Sequence, residues 1–135
     1  MQRPAIILVL CVALTACGGG GSPAAPTPIP SAMIQPVGST SLARVNEYYD
    51  YQFTGSIQNV GAGCAGGTVV VLRLYDEAGR QIGHDYGMDV AGGLSNRIIR
   101  PQETLAVASA PIPEGWLYGL RSSQLFPTWN NVTCP

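Results

Sequence analysis

The chain has 135 residues, of which 46% are hydrophobic, 11% charged and 7% aromatic, with 17 Gly, 11 Pro and a formal net charge of −1. That length holds one domain of ordinary size, and the low charge is not that of a highly charged disordered chain. All seven basic residues are arginines, scattered from Arg3 to Arg121, which excludes a basic nucleic-acid footprint and a polybasic membrane patch.

The first element in chain order is a processing segment. Arg3 supplies a positive start, and Ala5 to Leu14 is an apolar run of ten residues. As a helix, ten residues span about 15 Å, half of a ~30 Å hydrocarbon core, too short for a permanent membrane span. Small residues then lead into a cysteine, Leu14-Thr15-Ala16-Cys17, followed by Gly18 to Gly21 and a tract rich in Pro, Ala, Ser and Thr to Pro36. Residues 1–17 resemble the signal peptide and lipobox of bacterial lipoproteins. The resemblance implies cleavage before Cys17 and acylation of its thiol with more than one chain, palmitate among them. At ~0.8 kcal/mol per buried CH₂, two or more chains anchor stably where one does not. It also implies the outer membrane as destination, because Gly18 rather than Asp follows the cysteine, with the protein facing the periplasm. The expected layout is a removed peptide 1–16, a lipidated and extended tether 17–37, and a folded domain 38–135. A Pro-rich tract suits a tether because it favours polyproline II, at ~3.1 Å per residue.

Cys11 leaves with the signal peptide, which makes Cys64 and Cys134 an even pair in an oxidising compartment. Their spacing fits no CxxC metal or redox motif. The expectation is one structural disulfide; the alternative is two free thiols.

All ten aromatic residues lie between Tyr48 and Trp129, and the periodicity there is two rather than 3.6. Tyr49 to Gln58 alternates and predicts a strand with one buried face. Asn59 to Gly67 reads as a glycine-rich loop. Thr68 to Tyr75 predicts a central strand with Arg73 pointing outward. Asp76 to Gly79 predicts a hairpin turn with Gly79 at positive φ. Arg80 to Val90 is the return strand, with Ile82, His84, Tyr86, Met88 and Val90 on one face. Ala91-Gly92-Gly93 breaks it, Ile98-Ile99 starts another short strand, and Pro101-Gln102-Glu103 turns into a strand from Thr104 to Ala110. Pro111 and Pro113 end that strand, and a last strand is expected from Trp116 to about Gln124. The pattern predicts an all-β fold, a single small antiparallel β-sandwich.

Several of these residues form a second pattern: Thr54-Gly55 and Asn59, then Val69 to Asp76 with Gly79, then Arg100 to Glu103. It resembles the FxLYD-type domain, an immunoglobulin-like sandwich of prokaryotic envelope and secreted proteins. Leu74-Tyr75-Asp76 stands as in the family, Leu72 replaces its phenylalanine, and Pro101-Gln102-Glu103 stands where Pro-Gly-Glu is common. The resemblance covers residues 48–110. It implies fold roles for Leu74, Tyr75, Asp76 and Gly79 and no shared catalytic residues.

The sequence holds no nucleophile elbow, P-loop or HExxH motif, and no catalytic residue, metal ligand or cofactor site is assigned. His84, the one histidine, is read as a packed structural residue rather than a base. Asp85 and Asp89 lie about 13 Å apart along one strand face, too far to share a cation directly. Trp116, Phe126 and Trp129 are read as capping the fold around Cys134 rather than as a binding patch. The expected function is a non-catalytic, lipid-anchored protein-binding or scaffold module of the cell envelope. The partners are the membrane, through Cys17, and another envelope protein, with no nucleic acid. The alternatives are a carbohydrate- or cation-binding envelope domain, or a hydrolase using His84.

Overall fold

A computed structural model describes residue 21 and residues 23–135. The signal peptide and Cys17 lie outside the described residues. The chain is all-β. Its strands are β1 (Ile34–Arg44), β2 (Asp50–Asn59), β3 (Cys64–Tyr75), β4 (Gln81–Asp89), β5 (Thr104–Ser109), β6 (Ile112–Pro113) and β7 (Ser122–Val132). Two short 3-10 turns, Leu94–Asn96 and Glu114–Leu117, are the helical elements among the described residues.

All seven strands belong to one antiparallel sheet, in the order β1-β2-β5-β4-β3-β7, with β6 against β2. Two triplets, β1-β2-β5 and β4-β3-β7, are joined through only two residue pairs, Met88 with Ser109 and Asp89 with Ala108. The sheet curls about that narrow junction until its edge strands meet, with the hydroxyls of Thr40 and Ser123 hydrogen-bonded across the seam. Both triplets feed one buried cluster. Phe53, Ile57, Leu105 and Val107 meet Val70, Leu72, Leu74, Met88 and Leu125 inside it. The alternating positions of β2 and β5 supply one side, as period-two patterning requires.

Three expectations are corrected here. The folded region begins inside the Pro-rich tract, not at residue 38: Ala32 and Ile34 are buried in the core. The signal was weak because β1 is an edge strand that buries little beyond Ile34 and contains Pro36 and Gly38. The central strand starts at Cys64, four residues earlier than predicted, because its glycines lie in the ladder. Gly66 is there because a Cβ would stand 2.9 Å from Val132 on β7. The last strand is Ser122–Val132; Trp116 sits in a 3-10 turn before it. Pro127 hid this strand, yet it is tolerated because β7 is an edge that pairs with β3 alone.

Asn59 ties the start of the fold together. Its side chain is fully buried and completely hydrogen-bonded. The backbone N–H groups of Met33 and Gly61 donate to its Oδ1 at 3.0 Å each. Its Nδ2 donates to the carbonyls of Gly63 and Ile99 at 2.7 and 3.0 Å. Around this amide the segment 30–33 lies directly on the loop 61–63. Gly63 N–H donates to Ser31 O and Val60 N–H to Met33 O. A Cβ on Gly63 would overlap the Pro30 carbonyl, so glycine is required for a close backbone approach rather than for flexibility. The Cys64–Cys134 disulfide closes the same end of the fold.

Strand directions give the molecule two distinct ends. One carries residues 30–34, the loop 60–63 and the C-terminal residues. The other carries the β1–β2 turn, the β3–β4 turn and the connection from β6 to β7. Residues 27–30 lie at the first, beside Gly63 and Cys134.

Candidate functional site

The far end concentrates exposed aromatic side chains: Tyr118 is 91% exposed, Tyr48 78%, Trp116 56% and Tyr49 52%. The turns beneath them are held rigidly. Asn46 Oδ1 accepts hydrogen bonds from the N–H groups of Tyr48 and Asp50. Arg44 donates to the carbonyls of Asn46 and Glu47 and lies 3.9 Å above the Tyr49 ring. Tyr49 itself has φ +61°, a left-handed conformation that side chains other than glycine seldom adopt. The β6–β7 connection is pinned to both neighbouring turns, Glu114 N–H donating to Tyr49 O and Arg121 N–H to Tyr75 O.

A cleft of about 410 Å³ opens at this end between the start of β4 and the β6–β7 connection, lined by Ile82, Gly83, His84, Tyr86, Trp116 and Tyr118. A bulge in β4 builds one wall. Leu72 pairs with Tyr86 and Leu74 with Ile82, so three residues of β4 face Arg73 alone. Gly83 starts the bulge at φ +67°. Because two residues are extra, Ile82 and Tyr86 keep their common face while His84 is lifted off it. His84 is therefore exposed, a correction to the expected packed residue. Its ring lies 4.3 Å from that of Tyr86 and meets Trp116 edge-on at 5.6 Å. Among the described residues no side chain hydrogen-bonds its imidazole.

Tyr86 forms the floor. It is 7% exposed, and its hydroxyl is buried with no hydrogen-bond partner. Burial pushes the Tyr86 phenol pKa up. The hydroxyl lies against Gly83, where a Cβ would stand 2.8 Å away.

The aromatic trio expected around Cys134 is split. Trp129 packs at the disulfide end, its indole N–H donating to Ala32 O at 3.2 Å. Phe126 lies 4.6 Å beneath the Arg73 guanidinium. Trp116 is at the opposite end, because its segment is a turn outside β7.

The fold-motif residues fall along β3 and its turn. Leu74 is fully buried, and Tyr75 ends the strand half-buried, paired with Gln81 and Ser122. Asp76 accepts hydrogen bonds from Ala78 N–H and Arg80 N–H at 2.9 Å each and from Arg80 Nε at 3.0 Å. Gly79 has φ +75°. Asp85 and Asp89 are likewise engaged. Asp85 accepts from both nitrogens of the Arg73 fork and from Gln81. Asp89 accepts from the N–H groups of Val90 and Leu94. Among the described residues no group of three or more His, Cys, Asp or Glu could hold a metal ion.

Backbone donation from Arg80 is the main cause that holds the Asp76 carboxyl below its usual range. The Arg73 side chain does the same for Asp85, and Leu94 N–H for Asp89. These groups bind a proton less readily folded than unfolded. Their stabilisation is therefore complete above the ordinary carboxylate pKa of about 4 and is lost as pH falls through the lowered folded values. Asp76→Ala is expected to lower the melting temperature by a few degrees at neutral pH and to flatten its decline in acid, both read from melting curves across pH. Gly79→Val is expected to cost more, since a β-branched residue is strained at that φ.

Compared with family models, curated proteins and solved structures, the chain finds no match in any of the three.

Proposed function

We propose that this protein is a lipid-anchored, non-catalytic binding module of the bacterial envelope, held at the outer membrane through Cys17 and presenting its far end to another envelope component. The observation that carries this reading is the separation of the two ends. The tether enters beside the disulfide, while the exposed aromatic residues and the cleft sit where β1–β2, β3–β4 and β6–β7 turn. A patch of large apolar side chains held on rigid turns is typical of an interaction site. The residues between Cys17 and Pro30 reach roughly 40 Å when extended at ~3.1 Å each, which clears the headgroup region and leaves the far end pointing outward. The non-catalytic reading rests on His84, the sole histidine, standing exposed with no carboxylate or hydroxyl hydrogen-bonded to it among the described residues. The FxLYD-type, immunoglobulin-like part of the reading rests on Leu74-Tyr75-Asp76 and Gly79 standing at the end of β3 and in its turn.

Metabolic labelling with a clickable palmitate analogue, followed by membrane fractionation, tests the anchor. The wild type is expected to carry label and to sediment with the outer membrane. Cys17→Ser is expected to be unlabelled and found in the soluble periplasmic fraction. Equal labelling of both would end the lipoprotein reading.

A further inference from the structure

We propose that the cleft between the β4 bulge and the β6–β7 connection binds a neutral saccharide ring. The proposal rests on the reading of the far end as the binding surface and names its ligand class.

Four observations converge. The lining carries no formal charge: Ile82, Gly83, His84, Tyr86, Trp116 and Tyr118 form it, and Asp85, next to His84 in the chain, is already taken by Arg73 and Gln81. Within that lining an anionic or cationic ligand would meet no countercharge. Trp116 and Tyr118 present exposed aromatic rings, on which the C–H face of a pyranose stacks through dispersion and the ring's negative face. The Tyr86 hydroxyl is buried without a partner at the floor. Such a group carries a desolvation cost that a native fold seldom leaves uncompensated, and a ligand hydroxyl, both donor and acceptor, satisfies it. His84, exposed and stacked beside Tyr86 with no side-chain hydrogen bond to its imidazole among the described residues, places a second polar group in the same lining. A cleft of about 410 Å³ falls within the range of small-molecule sites, mostly apolar walls with a few fixed polar groups.

Two other occupants suit aromatic walls less well. The quaternary ammonium head of a choline-type ligand stacks on the rings but itself offers no hydrogen bond to Tyr86. A proline-rich peptide offers acceptors only.

The test is saturation-transfer NMR on the lipid-free domain from residue 21 onward, whose described residues contain the whole core. The probes are cellobiose, maltose and N,N′-diacetylchitobiose at millimolar concentration, with choline and a polyproline peptide as competitors. At least one disaccharide is expected to show transfer to its ring C–H protons and to quench indole fluorescence. Trp116→Ala is expected to abolish both signals. Tyr86→Phe is expected to weaken binding about tenfold, the loss of one well-made hydrogen bond, while leaving the melting temperature unchanged or higher, because it deletes an unpaired buried hydroxyl. Absence of transfer from all three sugars, tighter binding of choline or of the peptide, or full binding by both variants would overturn the proposal. Capture of an envelope protein through Trp116 by a domain that binds no sugar would overturn it too, while sparing the reading of the far end as the binding surface.

Discussion

Asn59→Ala is expected to be among the most damaging single substitutions in this chain. The side chain it removes satisfies two backbone N–H groups and two backbone carbonyls, all in the water-poor end of the fold. Alanine takes that partner from all four; the Ile99 carbonyl keeps the Ala65 N–H, and the other three are left unpaired, each buried orphan costing about 1–3 kcal/mol before relaxation. A net loss on the order of 3 kcal/mol corresponds to a melting temperature lower by roughly 15 °C for a domain of this size. The damage is also specific in place. Met33 and Gly61 lose their anchor, so amide hydrogen exchange is expected to rise first in residues 31–34 and 60–63 and only later in the middle of β3. Asn59→Asp is expected to be worse at neutral pH than in acid, since only the protonated acid can donate to a carbonyl. A melting temperature within two or three degrees of the wild type for Asn59→Ala would contradict this account of the buried amide.

Removing the Cys64–Cys134 disulfide is expected to have an effect of similar size by a different route. The bridge closes a loop of 70 residues, and the chain-entropy model assigns such a loop roughly 4 kcal/mol, gained by restricting the unfolded chain. Against a typical total of about 5–15 kcal/mol this is a large share. The double variant Cys64→Ala, Cys134→Ser is expected to keep its β-type circular dichroism at low temperature and to melt on the order of 20 °C lower. Reduction of the wild type is expected to reproduce that melting curve. Unchanged melting after reduction would show that the C-terminal residues are held by other contacts, of which the Asn131 Oδ1 bond from Ala32 N–H is one.

Most of the strands were legible because their alternation is strong. Residues 104–109 bury every second side chain, residues 49–58 alternate in sequence and bury Phe53 and Ile57 on one face, and the turn from Asp76 to Gly79 carries its own chemistry. The disulfide was legible from parity and compartment, without any geometry. What stayed hidden did so for physical reasons. β1 contributes few side chains to the core and draws its order from backbone bonds to β2 and from the loop around Asn59. β7 is polar on its outer face and interrupted by Pro127, a residue that only an edge strand accepts. In β4 the period-two reading put His84 on the buried face. Gly83, an isolated glycine inside a strand pattern, was the available signal for a bulge, and the bulge reverses the conclusion for His84. The cleft itself was not legible, because Tyr86 and Trp116 are 30 residues apart and come together through the curl of the sheet.

The central claim is that the far end is the working surface of a tethered module, and in vivo photocrosslinking tests it most directly. A benzophenone amino acid is placed at position 118, on the far end, or at position 133, beside residues 27–30, in the full-length protein. Illumination of intact cells is expected to give a discrete, reproducible adduct from position 118, lost with Trp116→Ala, and none of that size from position 133. Adducts only from position 133, or the same adducts from both positions, would contradict the account.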